Sequence, residues 1–202
     1  LIFQISGITR ATYVGGDTVF QFETFEQNRG CWAPQSMIQV GARIYFLAHD
    51  GWCVTDGQSV IPIGDGKVDR WFYARVNQSR LSSITAGIDW TNKCILWNFA
   101  DNSAADGETN FVLALNFHTR RFAYAEISMQ LMLQSYSESM TLEGLDALFS
   151  SIDDMSISLD SPVWQGGAPA LMVFDDDTLG GLSGASLDAL FETGESAPNP
   201  FG

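Results

Sequence analysis

Hydrophobic residues along this chain come in short runs separated by turn-forming residues. Apolar segments begin near Ile44, Ile95 and Leu171, and further apolar runs lie between them. Runs of this length that are bounded by Gly, Asn and Asp are typical of β-strands joined by tight turns. Strand pairs are predicted over residues 11–24, 87–99, 111–125, 145–158 and 170–182, and three strands are predicted over residues 44–61. The pattern therefore predicts an all-β protein.

The clearest local pattern surrounds two Asp-Gly dipeptides. The apolar residues 44–48 lead into Asp50-Gly51, and residues 52–54 lead into Asp56-Gly57. Asp-Gly is a strong hairpin signal because both residues tolerate the positive φ angles that two-residue turns require. Two such turns six residues apart predict three successive strands in an antiparallel meander.

Several predicted strands are apolar on both faces. Ile44 and Phe46 point to one side of their strand, while Tyr45 and Leu47 point to the other, since successive side chains alternate across a strand. An antiparallel sheet with one solvated face would alternate apolar and polar positions. Stacking each small sheet between two others covers both faces, so we predict a β-propeller-like array of antiparallel blades. A two-layer β-sandwich is the main alternative.

A short repeat and a helical stripe complete the expected architecture. Residues 145–149 recur at 187–191, an offset of 42 residues, which is close to the length of one four-stranded blade. After Asp65, the expected N-cap, apolar residues recur every three or four positions, as they do on one face of an α-helix. We expect one β-propeller domain over residues 1–202, with about four to five blade-sized repeats and one short helix near 66–77. Because the sequence lacks an initiator Met and ends in turn-type residues, we expect part of a longer chain.

Charge divides the chain into two parts. Residues 1–121 hold all ten Lys and Arg residues and eleven acids, whereas residues 122–202 hold thirteen acids and no Lys or Arg. A strongly negative surface repels nucleic acid and anionic lipid. Stable DNA binding by the second part is therefore not expected. Such a surface serves either solubility or contact with a polyanion that must pass without adhering.

Residues suited to catalysis or metal binding are few. His49 and His118 each adjoin a predicted turn, and none of the common hydrolase, metalloprotease, P-loop or dinucleotide motifs occurs. The widely spaced Cys31, Cys53 and Cys94 are expected to be free thiols made in a reducing cytoplasm. We expect no catalytic residue, no cofactor and no metal. No apolar run has the roughly 18 residues that a membrane-spanning helix needs, so we expect no membrane anchor.

Two groups of adjacent acids are the candidate functional residues. They are Asp153, Asp154, Asp175, Asp176 and Asp177. The acids at 101–108 lack the spacing of a calcium loop, and residues 175–177 fit a solvated hairpin turn better than a calcium site. The sequence therefore predicts exposed acids at these positions.

One segment resembles a known protein family. Residues 41–51, followed by Ile63-Gly64 and by residues 67–72, are similar to the tail-hub and nozzle proteins of short-tailed bacteriophages, also called packaged-DNA stabilisation proteins. The resemblance implies a structural virion protein that contains a propeller and forms a ring of six beneath the portal and adaptor. Such a ring extends the DNA channel of the tail and retains or conducts the genome. The resemblance thus makes the acids named above candidates for the channel lining. The resemblance brings no catalytic residue with it, and it implies synthesis in the host cytoplasm.

Two other functions stay open from the sequence. A carbohydrate-binding or receptor-binding propeller would use exposed Trp residues and acid pairs in a pocket. A glycoside hydrolase would hold two carboxylates roughly 5–10 Å apart. Ring formation would favour the phage-nozzle function, and glycan binding would favour the carbohydrate-binding propeller. A cleft with one strongly raised carboxyl pKa would favour the glycoside hydrolase.

Overall fold

The computed structural model consists mainly of four antiparallel β-sheets that follow one another along the chain. It describes residues 1–16, 18–136, 141, 144–145, 151, 166–167 and 169–182. The predicted all-β fold class is therefore confirmed.

Among the described strands, those of each sheet follow one another in sequence. Sheet 1 contains β1 (Ile2–Phe3), β2 (Ile8–Tyr13) and β3 (Phe20–Glu26). Sheet 2 contains β4 (Ile38–Val40), β5 (Arg43–Ala48), β6 (Gly51–Thr55) and β7 (Val60–Pro62). Sheet 3 contains β8 (Thr85–Asp89), β9 (Cys94–Phe99), β10 (Thr109–Asn116) and β11 (Arg121–Met129). Sheet 4 contains β12 (Leu131–Tyr136), β13 (Pro169–Asp175) and β14 (Thr178–Gly181).

Every sheet is an antiparallel meander, as the hairpin pattern predicts. The positions of two turns differ from the prediction. Ala48 pairs with Gly51, so His49 and Asp50 form the β5–β6 turn and Gly51 is already the first strand residue. The β6–β7 connection is a four-residue loop, in which the Asp56 carboxylate accepts hydrogen bonds from two following backbone N–H groups.

Strand β12 has no counterpart in the sequence prediction. Only Gln130 separates it from β11, so the Gly, Asn or Pro punctuation that marks a new strand is missing. Most of the strand pair predicted over residues 145–158 lies outside the described residues. Leu145 itself is helical, and its N–H donates to the carbonyl of Thr141. The prediction that a strand begins at Leu145 is therefore wrong.

Three apolar clusters join each sheet to the next. Ile8 of sheet 1 packs with Phe46 of sheet 2. Sheets 2 and 3 share the largest cluster, in which the rings of Trp52 and Trp97 lie 4.3 Å apart. Sheets 3 and 4 share a cluster that contains Val112, Met129 and Met132. Burial of these side chains is the main force that holds the sheets together.

Strand β5 shows why the alternation of polar and apolar residues is absent. Tyr45 and Leu47 face the cluster shared with sheet 3, whereas Phe46 faces the cluster shared with sheet 1. All three side chains are buried. Sheets 2 and 3 each lie between two other sheets, an arrangement that a two-layer sandwich does not provide. Closure of the sheets into a propeller stays a prediction.

The predicted short helix is present as α1 (Asp69–Arg75). Val68, Phe72 and Val76 bury the expected apolar stripe in the cluster between sheets 2 and 3. The prediction of Asp65 as N-cap is wrong, because the N-cap position is Val68. The carbonyl of Gly64 accepts hydrogen bonds from the N–H groups of residues 67–69, and this turn delays the start of the helix. Two 3₁₀ segments, Pro34–Ser36 and Gln78–Ser83, lie in the connections of the part of the chain that the structure describes.

Candidate functional site

A cleft of about 220 Å³ opens between sheets 2 and 3, and three cations lie around it. Arg43 begins β5, Lys67 precedes α1, and Arg120 lies in the β10–β11 turn. The remaining lining is mostly apolar and consists of Tyr45, Val54, Thr55, Asp56, Ile61, Pro62, Ile63, Leu115, Phe117 and Phe122. We call this site the cationic cleft.

Hydrogen-bonded turns fix the backbone of two of these cations, Lys67 and Arg120. The Lys67 N–H donates to the carbonyl of Gly64 at 3.0 Å, which fixes the turn before α1. The Arg120 N–H donates to the carbonyl of Asn116 at 2.7 Å, and the Arg120 backbone has a φ of 57°. The stacking of sheet 2 on sheet 3 then brings these two turns and the start of β5 to one place.

The cleft is positively charged within a chain of net charge −14. Asp56 is the one acid among the described residues that line it. Hydrogen bonds from the backbone N–H groups of Gln58 and Ser59 lower the pKa of Asp56, so its carboxylate is ionised at neutral pH. The ion pairs within the described part of the chain are Arg10–Glu23 and Arg29–Asp50, so all three cleft cations lack such a partner there.

This combination of charge and apolar surface suits an anion with an apolar flank. Arg and Lys head groups bind carboxylates by charge-assisted hydrogen bonds. The cleft is smaller than the roughly 300–1,000 Å³ of sites that enclose drug-sized ligands. It therefore suits a small anionic group, such as one or two acidic protein side chains.

Three of the predicted site acids lie together at the tip of the β13–β14 hairpin. Asp175 pairs with Thr178, so Asp176 and Asp177 form a two-residue turn. Both have positive φ, 44° and 62°, as a type I′ turn requires. Asp176 and Asp177 are exposed and Asp175 is half-buried. We call these three residues the acidic tip; the predicted Asp153 and Asp154 lie outside the described residues.

The other chemically distinctive side chains lie apart from the cleft. His49 and His118 are exposed turn residues. Cys31 and Cys53 are buried free thiols, and burial is the main reason why the pKa of Cys53 rises to about 12. In the described part of the chain, no three His, Cys, Asp or Glu side chains form a group that could hold a metal ion. No helix there is long and apolar enough to cross a membrane.

The segment that carries the family resemblance contains a buried carboxylate. Asp69 accepts a hydrogen bond from the backbone N–H of Trp52 at 3.1 Å. The carboxylate lies against Gly51 and Gly64 so closely that a Cβ atom at either position would overlap it. Desolvation raises the pKa of Asp69. Asp69 does not line the cationic cleft, and its contacts fix the start of α1 on sheet 2.

Sequence reasoning missed the three cleft cations as a site. Arg43, Lys67 and Arg120 come from three separate segments, and no motif links them. The one available signal was the restriction of all cations to residues 1–121. This restriction indicates which part of the chain can supply positive charge, but not that three of the cations line one cleft.

Comparison of the chain with protein-family models found no match, and a search of curated proteins found no significant match.

Proposed function

We propose that this chain is a structural subunit of a phage tail nozzle or head-to-tail hub. In this proposal the sheets belong to a β-propeller, six subunits form a ring next to the portal and adaptor, and the ring extends the DNA channel of the virion. The observation that carries the proposal is the succession of four antiparallel meanders, each sharing an apolar cluster with the next. Neighbouring propeller blades are related in this way.

The contacts of Asp69 give the resemblance a physical basis. Gly51, Gly64 and Asp69 all belong to the segment that resembles the nozzle proteins. The two glycines admit the carboxylate, and the carboxylate accepts the N–H of Trp52. The similar residues are therefore in contact with one another in the fold. This supports a shared local structure rather than a chance match of common residues.

The outer face of sheet 1 also supports a stack that continues beyond this sheet. Tyr13 pairs with Phe20 and Ala11 pairs with Phe22, so these side chains share one face. Tyr13, Phe20 and Phe22 are 71%, 50% and 63% exposed. Together they present on the order of 350 Å² of apolar surface, since an aromatic side chain offers about 150–250 Å². In a propeller the next antiparallel sheet covers such a face.

The charge distribution suits a conduit for DNA. Residues 122–202 contain thirteen acids and no Lys or Arg. Phosphate contacts by Lys and Arg supply most of the non-specific affinity of proteins for DNA. We place part of these acids on the channel wall, where they let a duplex pass without adhering.

The oligomeric state tests this proposal. The full chain is examined by native mass spectrometry and by negative-stain electron microscopy over a range of protein concentrations. We expect rings of six subunits with a central opening. A chain that stays monomeric at tens of micromolar, at both low and moderate salt, would contradict the proposed function.

A further inference from the structure

We propose that the cationic cleft of one subunit receives the acidic tip of a second copy of this chain. The inference rests on the proposed ring and names the contact that joins its subunits. The contact is head-to-tail, because the cleft belongs to sheets 2 and 3 and the tip to sheet 4. Head-to-tail contacts generate rings when the rotation between subunits closes.

Charge complementarity is the first argument. Arg43, Lys67 and Arg120 surround the cleft and form no ion pair with any described residue. Asp176 and Asp177 project from a tight turn and are exposed. Opposite charge on the two surfaces favours their docking and specifies the partner.

The size of the cleft is the second argument. A volume of about 220 Å³ accommodates one or two acidic side chains. A two-residue β-turn is the narrowest end that a hairpin can present, since its two strands are roughly 4.8 Å apart. The acidic tip is such a turn, and its carboxylates lie at the end of the hairpin that would enter the cleft.

The position of the two sites favours a second copy over the tip of the same chain. Leu115 and Phe122 line the cleft on the face of sheet 3 that meets sheet 2. Sheet 4 packs on the opposite face of sheet 3, through Val112 and Met132. Sheet 3 therefore separates the cleft from the sheet that bears the acidic tip of the same subunit.

Charge reversal tests the contact. The cleft variant is Arg43→Glu/Lys67→Glu, and the tip variant is Asp176→Lys/Asp177→Lys. We expect each to self-associate at least tenfold more weakly than the wild type in sedimentation at low salt. Mixing the two variants should restore association. The acidic tip of the cleft variant can dock in the intact cleft of the tip variant, and the Lys-bearing tip of the tip variant can dock in the Glu-bearing cleft of the cleft variant.

Two variants serve as controls for this experiment. Arg70→Glu/Lys93→Glu changes the net charge equally at exposed cations outside the cleft lining, and we expect it to associate like the wild type. Asp176→Asn/Asp177→Asn removes the tip charge with a residue that tolerates positive φ, so a loss of association there does not come from a distorted turn.

A crosslink reports the contact without relying on rings. In a Cys94→Ser background, Lys67→Cys/Asp177→Cys should form an intermolecular disulfide on mild oxidation. Crosslinked dimers from a chain that forms no six-membered ring would support the contact and contradict only the ring. Intact rings in the cleft and tip variants would overturn the contact and leave the proposed function standing. Binding of a short DNA duplex that Arg43→Glu/Lys67→Glu abolishes would also overturn it, because the cleft would then be a phosphate site.

Discussion

At the scale of residues, a buried carboxylate and two glycines determine how α1 sits on sheet 2. The sequence marks Asp50-Gly51 as a turn, yet Gly51 lies in β6 with a φ of 148° and faces Asp69. The hairpin was predictable because Asp-Gly favours one. The actual reason for this glycine was not predictable, because it depends on a side chain 18 positions later in the sequence.

Replacing Gly64 by Ala should destabilise the fold. The new Cβ would overlap the Asp69 carboxylate, which the helix start and the Trp52 N–H hold in place. Overpacking of this kind costs about 1–3 kcal/mol. Urea denaturation of Gly64→Ala measures the loss. Gly180→Ala is the matched control, because a Cβ there meets no atom within 4 Å; equal losses in the two variants would refute the role of close approach.

Stability should depend on pH through Asp69. Desolvation raises its pKa in the folded state, so the unfolded chain releases this proton at lower pH than the folded one. The contribution of Asp69 to the free energy of unfolding should therefore fall as pH rises above the ordinary carboxyl value of 3.8 and level off above the raised value. Asp69→Asn keeps the acceptor for Trp52 and cannot ionise, so it should lose this decline.

Urea denaturation over a series of pH values measures the effect. The exposed Asp106→Asn provides the comparison for a carboxylate on the surface, and it should keep the wild-type decline. If Asp69→Asn retained the same decline, another group would be responsible.

At the scale of elements, the transition from sheet 3 to sheet 4 depends on a buried polar network. Asn98 is fully buried; its Oδ1 accepts from the Thr85 N–H and its Nδ2 donates to the Thr109 hydroxyl, both at 3.0 Å. The Thr109 hydroxyl donates to the carbonyl of Met129, and the Met132 N–H donates to the Thr85 hydroxyl. The network therefore satisfies backbone groups on both sides of the strand switch. The sequence does not reveal it, because its members are spread over 48 residues.

Asn98→Leu should cost roughly 3 kcal/mol of unfolding free energy, since each buried polar group left without a partner costs about 1–3 kcal/mol. Asn102→Ala, at an exposed loop position, should change stability by less than about 0.5 kcal/mol. Thermal and urea unfolding compare the two variants. An equally small effect of Asn98→Leu would mean that the network does not contribute to stability.

Strand β12 shows where element prediction fails. Its residues are as apolar as those of other strands, but Gln130 alone separates it from β11. Strand limits were predicted well where Gly, Asn or Asp interrupts the apolar pattern, as in β5, β9 and β13. Where a strand switches sheets without a turn residue, the pattern contains no boundary to detect.

At the scale of the whole molecule, stability should be graded along the stack. Sheets 2 and 3 are covered on both faces and share the largest apolar cluster, whereas the outer part of the β2–β3 hairpin is exposed. Local opening is easiest where few apolar contacts must break. Hydrogen–deuterium exchange should therefore be slowest in β5, β6, β9 and β10 and fastest near Tyr13 and Phe20. Uniform protection across all sheets would contradict this gradient.

The stacked order of the sheets was predictable because strands without polar alternation need cover on both faces. The cationic cleft was not predictable, since its three cations meet only after sheets 2 and 3 pack together. Local sequence patterns specify strands and turns, whereas the site depends on distances between segments that the pattern does not contain.

The single-residue link at Gln130 has a mechanical consequence. The Gln130 N–H donates to the carbonyl of Phe174, so even this residue is tied to sheet 4. With no slack between β11 and β12, a pull on the last sheet reaches the centre of the molecule without first straightening a loop. Sheets 3 and 4 should therefore move together rather than independently.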